Sequence, residues 1–297
     1  MNKEFFHIRD KIIPGKEIAS KYLEEVSQQV AIMQAKHNIS PKLSVVIVGA
    51  DPASHIYVAN KIKTCAKVGI TSQLYKLPAL TSEKELLALV NELNKEKENH
   101  GILVQLPLPD HIDNNKIISA INQYKDVDGF HPQNIASLYL NNTTKSFVPC
   151  TPLGCYRLLQ KIGFELHGSN VAIVGRSNIV GKPLAMLLLL KGNASISMVH
   201  SNSKSPHKIT KQADLIVSAA GVPNLINSDW VKPGAVVIDV GMNRMEPSGK
   251  LQGDADFDAL LPIVKAITPV PGGVGPMTIA MLMENCVKAA KVSLKIV

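Results

Sequence analysis

Short apolar runs alternate with longer stretches of mixed apolar and polar residues along the chain. Residues 43–48 (LSVVIV) and 101–105 (GILVQ) read as buried strands, and 72–77 as a weaker one. Between and before them, 15–37, 52–68 and 81–97 carry helical spacing. The Pro-rich QLPLPD at 105–110 ends the third strand in a loop. A second half opens near FVPCTP (147–152) and repeats the alternation. It holds a helix over 152–162, with Thr151 as cap and Pro152 in the first helical position. Strands follow at 171–174, 196–199, 214–218, 235–239 and 265–268, a helix starts near 182, and helix 276–294 closes the chain. Strands separated by helices pair in parallel through crossovers. The fold class expected is α/β, with two α/β domains. The second, 149–275, is a Rossmann-like doubly wound parallel sheet, and the first is 1–148, with the last helix (276–297) packing back on it.

Composition agrees with that division. The 297 residues, at roughly 150 per domain, make two domains. With 45% apolar and 19% charged residues the chain is globular rather than disordered. No apolar run nears the roughly 20 residues of a membrane helix; residues 184–190 stop between Pro183 and Lys191. The net charge of +8 favours an anionic partner. It comes without any block of like charges, and aromatics are only 4%, which argues against nucleic acid. The four cysteines form no C-x-x-C pair and no zinc spacing, and MNKEFFHIRDK mixes acids with bases, unlike a secretory signal. A reducing, cytoplasmic compartment is expected, with no metal.

Two segments carry candidate chemistry. Strand 171–174 runs into Gly175-Arg176-Ser177-Asn178-Ile179-Val180-Gly181-Lys182-Pro183 and then a helix. Strand, glycine turn and helix N-terminus together bind a dinucleotide pyrophosphate. Ser177 stands in the place of the usual second glycine, and a plain strand-to-helix turn has a similar pattern. The next strand ends in His200-Ser201-Asn202-Ser203-Lys204, with no acid for a ribose 2′-hydroxyl. Hydroxyls, Lys204 and Arg176 suit a 2′-phosphate, so NADP is favoured over NAD. In the second segment, 51–68, Ser54, Tyr57 and Lys61 fall on one helix side. Val58, Ala59, Ile62, Cys65 and Ala66 form the adjoining apolar face, and Asn60, Lys63 and Lys67 point to water. A lysine on that border suits proton transfer, and a tyrosine one turn away suits stacking on a flat ligand; a snorkelling lysine beside a half-buried tyrosine is the plain alternative.

Two loops add to this. Lys125-Asp126-Val127-Asp128-Gly129-Phe130 is a compact acidic turn, able to hold an N–H-rich heterocycle or simply to make an Asx-turn. Pro269 to Pro276 (PVPGGVGP) is a stiff loop after the last strand, where ligands of parallel sheets lie.

Taken together, these segments closely resemble the bifunctional methylenetetrahydrofolate dehydrogenase/cyclohydrolase family. The matching stretches are DPASHIYVANKIK (51–63), GILVQLPLP (101–109), KDVDGFHP (125–132), PCTPLG (149–154), GRSNIVGKP (175–183), ADLIVSAAGVP (213–223), VKPGAVVIDVGMNR (231–244), GDADF (253–257) and TPVPGGVGPMTIAML (268–282). They run in family order over nearly the whole chain. The resemblance implies a cleft between the two domains and a homodimer. It implies oxidation of 5,10-methylenetetrahydrofolate by NADP⁺ and hydrolysis of the methenyl product to 10-formyltetrahydrofolate, in one-carbon metabolism and purine biosynthesis. Tetrahydrofolate derivatives are then the partners, with no nucleic acid and no membrane. Lys61 matches the family's catalytic lysine, Tyr57 its stacking tyrosine, Gln105 the glutamine beside the lysine, and Asp128 the acid holding the pterin. Pro271, Gly272 and Gly273 match the segment closing over folate. Gly175, Arg176, Ser177, Ile179, Val180, Gly181 and Ser201 match cofactor-side positions. The chain departs from the family at HSNSK (200–204), usually closer to HSRT, and at Val222, where a basic residue is common.

Two rivals make different demands. Tyr57-x-x-x-Lys61 is the spacing of short-chain dehydrogenases, but their glycine motif precedes the tyrosine and here it follows. A non-catalytic NADP-binding or basic nucleic-acid-binding protein would leave Lys61 and Asp128 dispensable.

Overall fold

A computed structural model describes residues 11–296. The stretch MNKEFFHIRD, and most of the segment read above as no secretory signal, lies outside them. The elements are α1 (Gly15–His37), β1 (Lys42–Val48), α2 (Pro52–Val68), β2 (Thr71–Leu77), α3 (Glu83–Lys95), β3 (Gly101–Val104), α4 (Asn114–Ala120), α5 (Pro132–Tyr139), α6 (Cys150–Lys161), β4 (Asn170–Val174) and α7 (Gly181–Gly192). Then come β5 (Ser195–Val199), α8 (Pro206–Thr210), β6 (Leu215–Ser218), β7 (Val236–Asp239), β8 (Asn243–Met245), β9 (Lys250–Gln252), α9 (Phe257–Leu260), β10 (Ala266–Ile267) and α10 (Val274–Ser293).

Local chemistry sets the ends. Asp51 caps α2 by accepting the Ser54 N–H at 2.7 Å, Pro52 fits the first turn, and Gly69 ends the helix at φ 82°. Ser82 and Glu85 form a capping box that starts α3 two residues after the predicted 81, and Leu86, Val90 and Leu93 make its buried stripe. Thr151 is no cap: α6 begins at Cys150, one residue earlier, with Pro149 at the cap position, and the Thr151 hydroxyl instead meets that of Thr278 at 3.1 Å. On α2 the apolar face is narrower than expected. Ser54, Val58 and Cys65 are buried, whereas Ala59 and Ala66 are exposed, because that flank meets solvent rather than core.

The chain divides into two compact units. One holds residues 21–148 and 279–296. Its sheet is parallel, in the order β2-β1-β3, and α3 and α4 cover it through Leu86, Val90, Leu93 and Ile117 against Val46, Val48, Ile102 and Val104. In α10, Asn285 donates to the carbonyls of Val127 (2.8 Å) and Val148 (3.2 Å), and Lys288 to those of Thr143 and Ser146 (both 2.7 Å). These bonds satisfy loop carbonyls that have no sheet partner.

The other unit holds 149–278 with residues 11–20. That early stretch, assigned from sequence to the first domain, groups here because Ile13 donates to the Ile267 carbonyl at 2.9 Å and Ile267 to that of Lys11 at 2.8 Å. The sheet is parallel throughout, in the order β10-β7-β6-β4-β5. The first strand, β4, thus has the second, β5, on one side and the third, β6, on the other. The direction of winding reverses between β4 and β6, and ligands of doubly wound sheets bind outside the carboxyl ends at such a point. Small elements escaped the sequence reading: α4, α5, α8, α9 and the β8–β9 hairpin. Each is too short to show a period, and α4 buries only Ile117.

Candidate active site

In the unit built on β2-β1-β3, two of the predicted residues, Lys61 and Gln105, meet at the carboxyl end of β3. Lys61, half-buried on α2, donates from Nζ to Gln105 Oε1 at 3.0 Å. Gln105 follows β3 directly. Its N–H donates to the Val46 carbonyl at 2.8 Å, and its Nε2 donates to the Leu106 carbonyl at 2.6 Å. The second bond fixes the amide so that its oxygen faces the lysine. Tyr57 lies one turn before Lys61 and is half-buried; burial holds its phenol above the ordinary value, so it stays protonated. Cys65, one turn beyond, is no rival nucleophile, since burial pushes its thiol up to about 12.

The acidic turn runs beside β3. Ile102 bridges Asp126 in parallel register and donates to the Lys125 carbonyl at 2.7 Å. Asp128, two residues on in the turn closed by the Gly129 N–H to the Asp126 carbonyl (3.1 Å), is half-buried. Its neighbour Asp126 is the structural acid: it is 1% exposed and accepts from the His131 N–H (2.7 Å) and Asn134 Nδ2 (2.8 Å). Desolvation lifts the Asp126 carboxyl to about 6, against those two bonds. Folding then favours its protonated form. Its contribution to stability is full below the unfolded value of 3.8 and lost as pH rises through about 6. Carboxyl-carbon NMR is expected to show Asp126 titrating near 6; a midpoint near 4 would refute the assignment.

A cavity of about 1170 Å³ lies elsewhere in this unit, at the amino ends of the strands beside Lys42, Thr71 and His100. The C-terminal ends of α1, α3 and α10 meet it, and Lys125 donates to the Leu93, Asn94 and Glu96 carbonyls. Its lysines answer the negative ends of those helices.

In the unit built on the five-stranded sheet, the glycine turn sits at the switch point. Gly175 has φ +121°, and a Cβ on Gly181 would stand 2.2 Å from the Gly175 carbonyl oxygen, so the two backbones touch. Ser177, in the second glycine's place, accepts the Val180 (3.1 Å) and Gly181 (3.3 Å) N–H groups through its hydroxyl, capping the start of α7. Among the described residues, the N–H groups of Arg176, Ser177, Asn178 and Ile179 have no acceptor. Free N–H groups at a helix N-terminus, beside exposed Arg176, Ser201 and Lys204, fit a phosphorylated dinucleotide. Val180 is half-buried and Ile179 exposed, walling the turn. Pro271, Gly272 and Gly273 follow β10; Pro271 is exposed, and Gly273 is packed so that a Cβ would meet the Pro269 carbonyl oxygen at 2.6 Å. Two acids that the sequence reading assigned no role, Asp239 and Asp254, lie buried under the same carboxyl end. Among the described residues no group of His, Cys, Asp and Glu has metal-site geometry, and no helix is long and apolar enough to cross a membrane.

A doubly wound sheet with a glycine cradle at its switch point in one unit, and a lysine–glutamine pair in the other α/β unit, define a two-domain dinucleotide-binding α/β enzyme. The particular family follows from comparison. The pattern for the tetrahydrofolate dehydrogenase/cyclohydrolase catalytic domain matches residues 13–128, and that for the NAD(P)-binding domain of the same family matches 149–294. The chain belongs to this family. It is 52% identical over 283 residues to the bifunctional protein FolD 2 of Ectopseudomonas mendocina, covering 95% of this chain and 92% of the relative. The crystal structure of the bifunctional FolD methylenetetrahydrofolate dehydrogenase/cyclohydrolase from Campylobacter jejuni superposes with a TM-score of 0.91 at 49% identity, covering 95% of this chain and 98% of that one. The Trypanosoma brucei enzyme, solved with NADP and an inhibitor, gives 0.92 at 37%, covering 96% and 98%.

Proposed function

We propose that the chain oxidises 5,10-methylenetetrahydrofolate with NADP⁺ to 5,10-methenyltetrahydrofolate and hydrolyses that product to 10-formyltetrahydrofolate. The observation that carries this reading is the Lys61–Gln105 hydrogen bond in a chain of this family. When bound, NADP⁺ supplies the hydride acceptor for the first step. The protein's own work there is alignment. Tyr57 stacks on the folate rings, Asp128 accepts from the N–H groups of the pterin, and the Pro271-Gly272-Gly273 turn lies over the folate. Gly175, Arg176, Ser177, Ile179, Val180, Gly181 and Ser201 hold the dinucleotide, with Arg176 and Lys204 toward its 2′-phosphate.

The hydrolysis requires a base for water and an acid for nitrogen. Lys61 as amine takes a proton from water as its oxygen bonds the methenyl carbon. As ammonium it returns that proton to the ring nitrogen released when the carbon–nitrogen bond breaks, while the hydroxyl left on the former methenyl carbon gives its own proton to solvent and becomes the formyl carbonyl. Gln105 Oε1 holds the Nζ in place throughout.

The test is spectrophotometric, on purified protein. Methylenetetrahydrofolate is supplied with NADP⁺ or NAD⁺, and methenyltetrahydrofolate alone in parallel. NADPH formation together with loss of the methenyl species is expected. Turnover with NAD⁺ only would overturn the cofactor reading, and no turnover in either assay would overturn the enzyme reading.

A cytoplasmic homodimer completes the proposal, supplying 10-formyltetrahydrofolate to purine biosynthesis. All four cysteines are buried and none is in a disulfide, which supports a reducing compartment. The homodimer rests on the family resemblance, and light scattering is expected to give about twice 32.1 kDa.

A further inference from the structure

The loop after β6, Ala219 to Pro223, lies at the same switch point as the glycine turn. The Ala219 N–H donates to the Val174 carbonyl at 2.8 Å, and a Cβ on Gly175 would stand 2.2 Å from the Ala219 carbonyl oxygen. Ala220, Gly221 and Val222 are exposed, yet their N–H groups turn inward to one carboxylate. Asp254, fully buried, accepts from Ala220 (2.7 Å), Gly221 (3.0 Å) and the Ser218 hydroxyl (3.3 Å) at Oδ2. At Oδ1 it accepts from Val222 (3.0 Å) and Asn243 Nδ2 (2.9 Å). A trans peptide sets its carbonyl opposite its N–H, so the carbonyls of Ala219, Ala220 and Gly221 are turned away from Asp254. The first of them packs on Gly175.

A second acid holds the first. Asp239, at the end of β7, accepts the N–H groups of Gly241 (2.9 Å) and Asp254 (3.1 Å) at Oδ1 and of Ala255 (2.9 Å) at Oδ2. Glycines make the room: a Cβ on Gly241 would lie 2.2 Å from Asp254 Oδ1, and one on Gly253 1.9 Å from Asp239 Oδ2.

We propose that Asp254 is a positioning residue for the dinucleotide: by gathering three consecutive N–H groups it fixes the 219–223 loop as a wall of the cofactor site, and Asp239 fixes Asp254. This rests on the dinucleotide reading above. An Asn at 254 would aim an amide N–H₂ at N–H donors in either orientation, which leaves two donors facing a donor.

The experiment compares wild type with Asp254→Asn. Titration calorimetry with NADP⁺ is expected to show the dissociation constant rising about tenfold or more, and KM for NADP⁺ rising with it, while KM for methylenetetrahydrofolate moves less than about twofold. Amide exchange at Ala220, Gly221 and Val222 is expected to quicken by about 100-fold, with Val217 and Ile238 in the sheet still protected. A folded variant with NADP⁺ affinity within about threefold of wild type overturns the assignment. Should Asp254→Asn fail to fold, Asn243→Ala decides: it removes one donor to Oδ1, and about a threefold loss of NADP⁺ affinity with faster exchange at Val222 is expected. No change in either overturns the proposal. Wild type that binds no NADP⁺ overturns the functional reading itself, and the assignment with it.

Discussion

Lys61→Met is expected to slow hydrolysis of 5,10-methenyltetrahydrofolate by at least about 100-fold, the usual scale of a lost general acid–base. The methionine side chain has nearly the length of lysine and similar helix propensity, so α2 keeps its form. Lys61 is half-buried at the edge of the core, so an apolar replacement there costs little packing. What is lost is the proton carrier and the donor to Gln105 Oε1. Gln105 keeps its own bond to the Leu106 carbonyl and stays in place, which limits the change to the proton transfer. NADP⁺ affinity is expected to stay within about twofold, because every residue assigned to the dinucleotide belongs to the other unit. Decay of the methenyl absorbance, corrected for the buffer-catalysed rate, measures the first expectation, and calorimetry the second. Hydrolysis at the wild-type rate would remove Lys61 from the mechanism.

The two halves of this site differ in how far they are legible in the chain. Tyr57 and Lys61 share a helix face that follows from 100° per residue, and the cap at Asp51 places that helix to within a residue. The partner of Lys61 is another matter. Gln105 lies 44 positions away, and only the parallel pairing of β3 with β1 brings it beside α2. Family resemblance pointed to it; periodicity cannot. The acidic turn shows a similar limit. Asp126 and Asp128 are two residues apart and chemically alike in the sequence, and the bridge of Asp126 to Ile102 decides which is buried. The glycine turn reads as a weak motif because Ser177 breaks it, yet its hydroxyl serves the turn by accepting the N–H groups of Val180 and Gly181, where α7 begins. Asp239 and Asp254 belong to no nucleotide or acid–base motif in the sequence. Their signal was local all the same: each lies near a glycine, at 241 and 253, whose missing Cβ leaves space for the other segment's carboxylate.

Gly175→Ala is expected to lower NADP⁺ affinity by at least about 30-fold, or roughly 2 kcal/mol. Two costs combine at this residue. Its φ of +121° lies where L residues are strained, and the added Cβ would stand 2.2 Å from the Ala219 carbonyl oxygen and 2.8 Å from its carbon. Those atoms are backbone, so no rotamer change relieves the overlap. Nor is the loop free to retreat, since Ala219 is tied to Val174 and the next three N–H groups to Asp254. The strain must then open the turn that holds the pyrophosphate. Gly168→Ala separates the two costs. Gly168 also has positive φ, at +72°, but a Cβ there meets nothing within 4 Å. It pays only the left-handed conformation, about 1 kcal/mol of stability, with NADP⁺ affinity unchanged. Thermal unfolding and NADP⁺ calorimetry on both variants read the difference. If Gly175→Ala binds NADP⁺ within about threefold of wild type, the contact between the two loops is only structural, and the pyrophosphate is held elsewhere.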